Sequence, residues 1–327
     1  MFSRSTARKH DFSRVPARKL ETVLDPRLPA QATALQRQFA SATPFRHVII
    51  EPFLDAASCG ELISAFPNFD AGQSANERGE PGRKAVFPNL SKLGPAYQRF
   101  DRLMQSRDFL ALISRITSIP DLLYDPDYIG GGTHENLTGQ ELDTHVDFNY
   151  HPKRHLHRRL NLIVFLNPEW HNSWGGSLEL LPDPWCSSES PGVSVTPIAN
   201  RCVIFETTEQ SWHGFPRLAL PPGVSRRSIA VYFYTKDRPA AAASHGTIYY
   251  QRPLPDHLEP GHTLDAKDVF EIQTLVARRD KQIQFLYERE LEFSEAIEQI
   301  TQSPSFKLGR ALTWPVRAMR KLLRNSR

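Results

Sequence analysis

The stretch Thr144-His145-Val146-Asp147-Phe148 decides how the rest of this 327-residue chain is read. Its composition is that of a β-strand, in which successive side chains point to opposite faces, so His145 and Asp147 share a face. An imidazole and a carboxylate side by side make two thirds of the 2-His-1-carboxylate facial triad that holds non-haem Fe(II) and leaves positions open. The third ligand has to arrive from another strand. His213, in Ser211-Trp212-His213-Gly214-Phe215, lies 66 positions after Asp147 and is the candidate. Thirteen positions beyond it stands Arg226, and by alternation Arg226 and Ser228 share one face while Arg227 takes the other. A guanidinium fork grips a carboxylate bidentately, and a neighbouring hydroxyl adds a donor. Metal ligands at one end and a carboxylate anchor at the other suit a 2-oxoacid with a distal carboxylate, which is 2-oxoglutarate, and the open position suits O2.

Outward from this stretch the pattern is β from about Tyr128 to residue 235. Gly130-Gly131-Gly132 marks a bulge or close backbone approach. Strands are predicted at 141–148, 160–166, 177–181, 202–206 and 228–234, with turns or loops between them. Residues 160–166 form an almost unbroken apolar run, as in a strand covered on both faces, with Asn161 its one polar member. The basic, His-rich run 151–159 reads as a solvated loop; the sharper readings are a second metal site or a dock for an acidic substrate. Upstream, a strand is predicted at 44–50, a helix at 55–66 with Asp55 as N-cap, a long loop at 67–92 and one helix over 95–117.

Downstream of residue 237 the composition shifts to a Pro- and Ala-rich linker with a short β piece at 247–250. A long helix follows with Asp265 as N-cap. Val269, Ile272, Val276, Ile283, Leu286, Phe293, Ile297 and Ile300 follow an alternating 3-4 spacing broken only by Arg279 and Glu290, which is a coiled-coil seam. It fits a homo-oligomer, a partner helix or packing back on the domain. Pro304 interrupts it. The expected architecture is mainly β with flanking helices: a double-stranded β-helix (jelly-roll) core plus a C-terminal coiled-coil-like helix. The expected segments are a disordered basic leader with a short helix (1–43), the jelly-roll domain (44–237), a linker (238–264), the long helix (265–302) and a basic amphipathic tail (303–327).

The formal net charge of +4 is unevenly placed. Residues 1–20 and 305–327 together contribute +12, so the body between them carries −8. That excludes a nucleic-acid-binding core and leaves basic tails suited to anionic surfaces, with residues 312–327 able to lie on a membrane. No apolar run has the length of a transmembrane helix and no secretory h-region opens the chain. The three cysteines, Cys59, Cys186 and Cys202, show no paired spacing and read as reduced thiols. The expected location is cytoplasmic, peripheral at the membrane where the tail engages it.

Taken together, the motifs resemble the Fe(II)/2-oxoglutarate-dependent dioxygenase superfamily, close to its prolyl 4-hydroxylase-like branch. The resemblance is carried by 130–134 (GGGTH), 145–149 (HVDFN), 158–167 (RRLNLIVFLN), 174–180 (WGGSLEL), Trp212-His213-Gly214 and 225–234 (SRRSIAVYFY). It implies iron on His145, Asp147 and His213, and 2-oxoglutarate on Arg226 and Ser228. Asn161 and Tyr150 are expected beside the cofactors, with Tyr232 behind the ligands. It also implies Fe(2+), 2-oxoglutarate and O2 as cofactor and co-substrates, ascorbate as an accessory reductant, and hydroxylation of a peptidyl side chain, small molecule or glycan-linked group with release of succinate and CO2. Prolyl hydroxylases of the collagen type carry Lys where this chain has Arg226. The tail at 303–317 (SPSFKLGRALTWPVR) is similar to tails on bacterial glycosyltransferases of surface-polysaccharide assembly. Two rival readings are an inactive jelly-roll and coiled-coil scaffold associated with that assembly, and a Zn-dependent enzyme using the same triad, which would leave Arg226 and Ser228 without a task.

Overall fold

The computed structural model describes residues 23–69, 85–186, 191–239, 242–251 and 253–314. Of the leader expected at 1–43, residues 1–22 lie outside the described residues, as do much of the 67–92 loop and the amphipathic tail beyond residue 314. The chain divides into two compact units, Met1–Tyr250 and Gln251–Arg327.

The first unit is built on two antiparallel sheets. The larger joins β1 (His47–Ile50), β2 (Ala85–Phe87), β3 (Leu123–Tyr124), β4 (Gly132–Asn136), β6 (His157–Phe165), β9 (Cys202–Glu206) and β11 (Arg226–Thr235) in the order β1-β9-β6-β11-β4-β2, with β3 also on β11. The smaller joins β5 (Leu142–Val146), β7 (Leu178–Leu181), β8 (Val193–Val195), β10 (Trp212–Phe215) and β12 (Ile248–Tyr249) in the order β12-β5-β10-β7-β8. This is the double-sheet jelly roll expected from the strand pattern, with helices flanking it.

Strand alternation decides what each face of the larger sheet carries. On one face Leu160, Leu162 and Val164 of β6, Cys202 and Ile204 of β9, and Ile229, Val231 and Phe233 of β11 join a core shared with the helices. Those helices are α1 (Leu28–Ser41), α2 (Ala56–Ser64), α3 (Pro95–Met104) and α4 (Arg107–Thr117). On the other face Phe165, Val203 and Phe205 pack with Leu178, Leu180 and Val195 of the smaller sheet. The unbroken apolar run of β6 is therefore explained: one face meets helices and the other meets a sheet.

Three local readings are corrected. The predicted helix over 95–117 is two helices, because Ser106 takes extended backbone and caps α4 by accepting from the Phe109 N–H. No Pro or Gly announces that break. Leu28, Ala32, Leu35 and Phe39, at helical spacing on α1, are buried in the core, so the packed body takes in residues ahead of Pro44. The run 151–159 is not one solvated loop, since His151 and Arg158 are wholly buried and β6 already starts at His157.

In the second unit α5 (Ala266–Gln302) starts at the expected cap. Asp265 accepts from the Asp268 N–H, and Asp268 accepts in return from the Asp265 N–H. His257 and His262 each bond a different oxygen of Asp268 at 2.8 Å. Ser303 ends α5, and α6 (Pro304–Leu312) follows. No helix among the described residues is long and apolar enough to cross a membrane.

Candidate active site

His145 and His213 lie directly opposite each other on β5 and β10, with ring centroids 4.3 Å apart. Gly214 permits this. A Cβ there would stand 2.5 Å from the Leu142 carbonyl oxygen, which belongs to the facing backbone. Gly214→Ala should therefore push β10 off β5, separating the two imidazoles. The expected result is a stability loss of about 1–3 kcal/mol together with loss of metal binding, read by thermal melts with and without divalent metal.

Asp147 follows immediately after β5 and returns to the His145 face. His145 Nε2 lies 3.6 Å from Asp147 Oδ1, His213 Nε2 lies 3.5 Å from Asp147 Oδ2, and one ligand atom from each of the three residues falls within 4.8 Å of the others. All three side chains are buried. Each imidazole is oriented in the same way, through Nδ1 to the carbonyl two residues back: His145 to Asp143 at 2.8 Å and His213 to Ser211 at 2.9 Å. A carbonyl can only accept, so Nδ1 carries the proton and Nε2 turns its lone pair to the centre. Burial pushes the His213 pKa down to about 4, which keeps the ring neutral at physiological pH. Burial is the largest single influence on the Asp147 carboxylate and works against it, but the Arg158 guanidinium, His213 and His145 together outweigh it and hold the carboxyl well below its usual range. Two imidazole lone pairs and an anionic carboxylate converging in a buried site are what a divalent cation reconciles. The donor set fits Fe(II).

Behind the carboxylate stands a second layer. Asp147 Oδ2 accepts from Arg158 Nη2 at 2.9 Å and from Asn161 Nδ2 at 2.7 Å. Asn161 Oδ1 in turn accepts from Arg158 Nε at 3.0 Å and Nη2 at 2.7 Å. The Arg158 guanidinium lies 3.6 Å from the Tyr232 ring centroid and 4.6 Å from that of Phe148, and Tyr232 is tethered by its hydroxyl to the Gly130 carbonyl. The sequence reading gave Arg158 no role.

Arg226 and Ser228 are buried and point to the inner face of the larger sheet, as alternation requires. Arg227 points the other way and is held by Glu135 and Ser225, each at 3.0 Å. Among the described residues, the one side-chain hydrogen bond of Arg226 runs from Nε to the Gly176 carbonyl at 2.7 Å. Gly176 has a φ of +69°, and a Cβ there would crowd Leu218, Trp170 and the Arg226 side chain. The Phe215 and Phe165 rings lie 4.2 and 5.2 Å from the guanidinium carbon. Burial lowers the Arg226 pKa to about 9, still above neutrality, so the group is a cation in an apolar setting.

The Tyr150 ring meets His155 and His157, with centroids at 6.0 and 5.1 Å, and no contact of it with the triad or with Arg226 is seen among the described residues. The other two clusters with metal-ligand chemistry among the described residues are already hydrogen-bonded. His151 Nδ1 accepts from the Lys153 and Arg154 N–H groups, so its proton sits on Nε2, which faces Asp125 at 3.2 Å. A protonated nitrogen is no ligand, and His151 is a buried tie between loops. In the second unit both oxygens of Asp268 are engaged by His257 and His262.

Residues 132–234 match the family model of the 2OG-Fe(II) oxygenase superfamily. The match spans the triad and the Arg226–Ser228 pair. No curated protein matches the chain. Among solved structures, the chain is similar to a prolyl hydroxylase from Trichoplax adhaerens in complex with a hypoxia inducible factor peptide fragment, at 17% identity, covering 64% of this chain and 91% of that one, with a TM-score of 0.46. It is similar to a prolyl-4-hydroxylase from Pseudomonas putida at 16% identity, with coverage of 62% and 98% and a TM-score of 0.42. HygX from Streptomyces hygroscopicus, with nickel, 2-oxoglutarate and hygromycin B bound, is similar at 14% identity, with coverage of 61% and 86% and a TM-score of 0.43. Residues 132–234 are therefore a 2OG-Fe(II) oxygenase domain, of a superfamily that works with Fe(2+), 2-oxoglutarate and O2.

Proposed function

We propose that the protein hydroxylates a C–H bond of its substrate in the manner of the prolyl 4-hydroxylase-like branch. His145, Asp147 and His213 hold the ferrous ion, and Arg226 with Ser228 holds the distal carboxylate of 2-oxoglutarate. The observation that carries this reading is Arg226, a buried cation bonded to one carbonyl and, among the described residues, to no carboxylate. A buried charge without a counter-ion is strongly disfavoured. A dicarboxylate co-substrate supplies the missing anion.

When bound, iron, 2-oxoglutarate and O2 supply the oxidising chemistry, with release of succinate and CO2. The chain supplies the geometry. The Asp143 and Ser211 carbonyls fix the two imidazoles; Arg158 and Asn161 fix the carboxylate ligand; the Phe165, Phe205 and Phe215 rings keep the anchor and His213 in apolar surroundings. Such fixed outer partners are what set ligand orientation in metal sites.

Removing one partner of a buried charge pair costs at least about 2 kcal/mol, or roughly 30-fold. Arg226→Gln should therefore raise the KM for 2-oxoglutarate by about that factor or more while leaving metal affinity near that of the wild type. Steady-state succinate formation against 2-oxoglutarate concentration measures it; an unchanged KM would remove Arg226 from the anchor. The substrate is a peptidyl side chain, a small molecule or a glycan-linked group. Mass spectrometry of products from wild type against His213→Ala, on pools of each class, distinguishes them by a gain of one oxygen atom.

A further inference from the structure

Along α5 the positions Val269, Ile272, Val276, Arg279, Ile283, Leu286, Glu290, Phe293, Ile297 and Ile300 follow an unbroken 3-4 alternation. The apolar members other than Ile272 are between 41% and 61% exposed. A continuous apolar seam on a helix, about 45 Å long at 1.5 Å per residue, is a surface that seeks a partner. Its two charged positions say which one.

From the charge pattern we infer that this seam pairs with a second copy of itself, antiparallel, centred between Gln284 and Phe285. In that register Val269 faces Ile300 of the second copy, Ile272 faces Ile297, Val276 faces Phe293, and Ile283 faces Leu286. Arg279 then faces Glu290, and by symmetry the layer occurs twice. Every layer is apolar on apolar or cation on anion. A parallel, in-register pair of the same helices opposes Arg279 to Arg279 and Glu290 to Glu290 inside an apolar seam. The apolar layers accept either orientation, so the two charged layers choose. A flanking pair agrees with this choice: Gln282 falls beside Arg289 of the second copy, with no like charges opposed.

Sedimentation of the full chain tests this directly. The wild type is expected to dimerise. Arg279→Glu and Glu290→Arg, each of which opposes like charges in both layers, are each expected to weaken the dimer about tenfold or more. The double variant R279E/E290R is expected to restore it, because the swapped charges still face each other only in the antiparallel arrangement. A monomeric wild type, a single reversal without effect, or a double variant no better than the singles would overturn the inference. A second measurement is independent of these variants. A spin label on Glu298→Cys, in a Cys186→Ser background, should read about 40 Å across an antiparallel dimer. A short separation, near the 8–10 Å that divides the axes of packed helices, would establish the parallel pair instead and refute the antiparallel one.

Discussion

Alanine at His145, Asp147 or His213 should bring succinate formation down to the level of a protein-free control. Three donors converge within 4.8 Å and no fourth protein ligand joins them among the described residues. Removing even an outer partner of a ligand costs roughly 10- to 100-fold in metal affinity or activity, and removing a ligand itself costs more. His213→Ala is the cleanest of the three, because the ring is buried and neutral and its loss strands no charge. Asp147→Ala is less clean, since Arg158 then loses its carboxylate partner. Circular dichroism and a thermal melt of His213→Ala separate lost chemistry from lost fold. A folded variant that still turns over 2-oxoglutarate would disprove the triad.

Arg158→Met should lower stability more than any other single replacement in the site. The guanidinium is wholly buried and serves both Asp147 and Asn161. Methionine fills much of the same volume but leaves a buried carboxylate without its cation, a loss of about 3–5 kcal/mol. For a body of this size that is a fall in Tm of about 10 °C. Below the transition, activity should still be down roughly 10- to 100-fold, because Asp147 is no longer held. Melting curves and succinate assays on the same preparation report both effects; an unchanged Tm would mean that Asp147 draws its support from elsewhere.

The parts of this architecture that are periodic were readable in the chain. The His145–Asp147 spacing put two candidate ligands on one face, and the Arg226–Ser228 spacing put the proposed anchor pair on another. The unbroken apolar run of β6 called for cover on both sides. Arg158 was not readable, and the reason is a bulge. Phe233 pairs with Leu160 but Tyr234 pairs with Arg158, so β6 carries one extra residue at Arg159. The bulge reverses the parity of everything before it and turns Arg158 to the same side as Asn161. Alternation counted from Asn161 would have sent Arg158 to the opposite face, and its cationic neighbours made it look like part of a solvated run. The end of α3 was hidden for a different reason: a serine that caps one helix resembles a serine within one until its backbone is seen. The buried His151 tie depends on Asp125, which is distant in sequence and joined to it only by the fold.

The central claim is that one ferrous ion sits among His145, Asp147 and His213 while 2-oxoglutarate reaches from it to Arg226. An anaerobic crystal structure with Mn(II) in place of iron and with 2-oxoglutarate measures this most directly. The expected map has one anomalous peak bonded to His145 Nε2, His213 Nε2 and an Asp147 oxygen, with the far carboxylate of 2-oxoglutarate on the Arg226 guanidinium. A peak at another cluster, or a carboxylate lying away from Arg226, would contradict it.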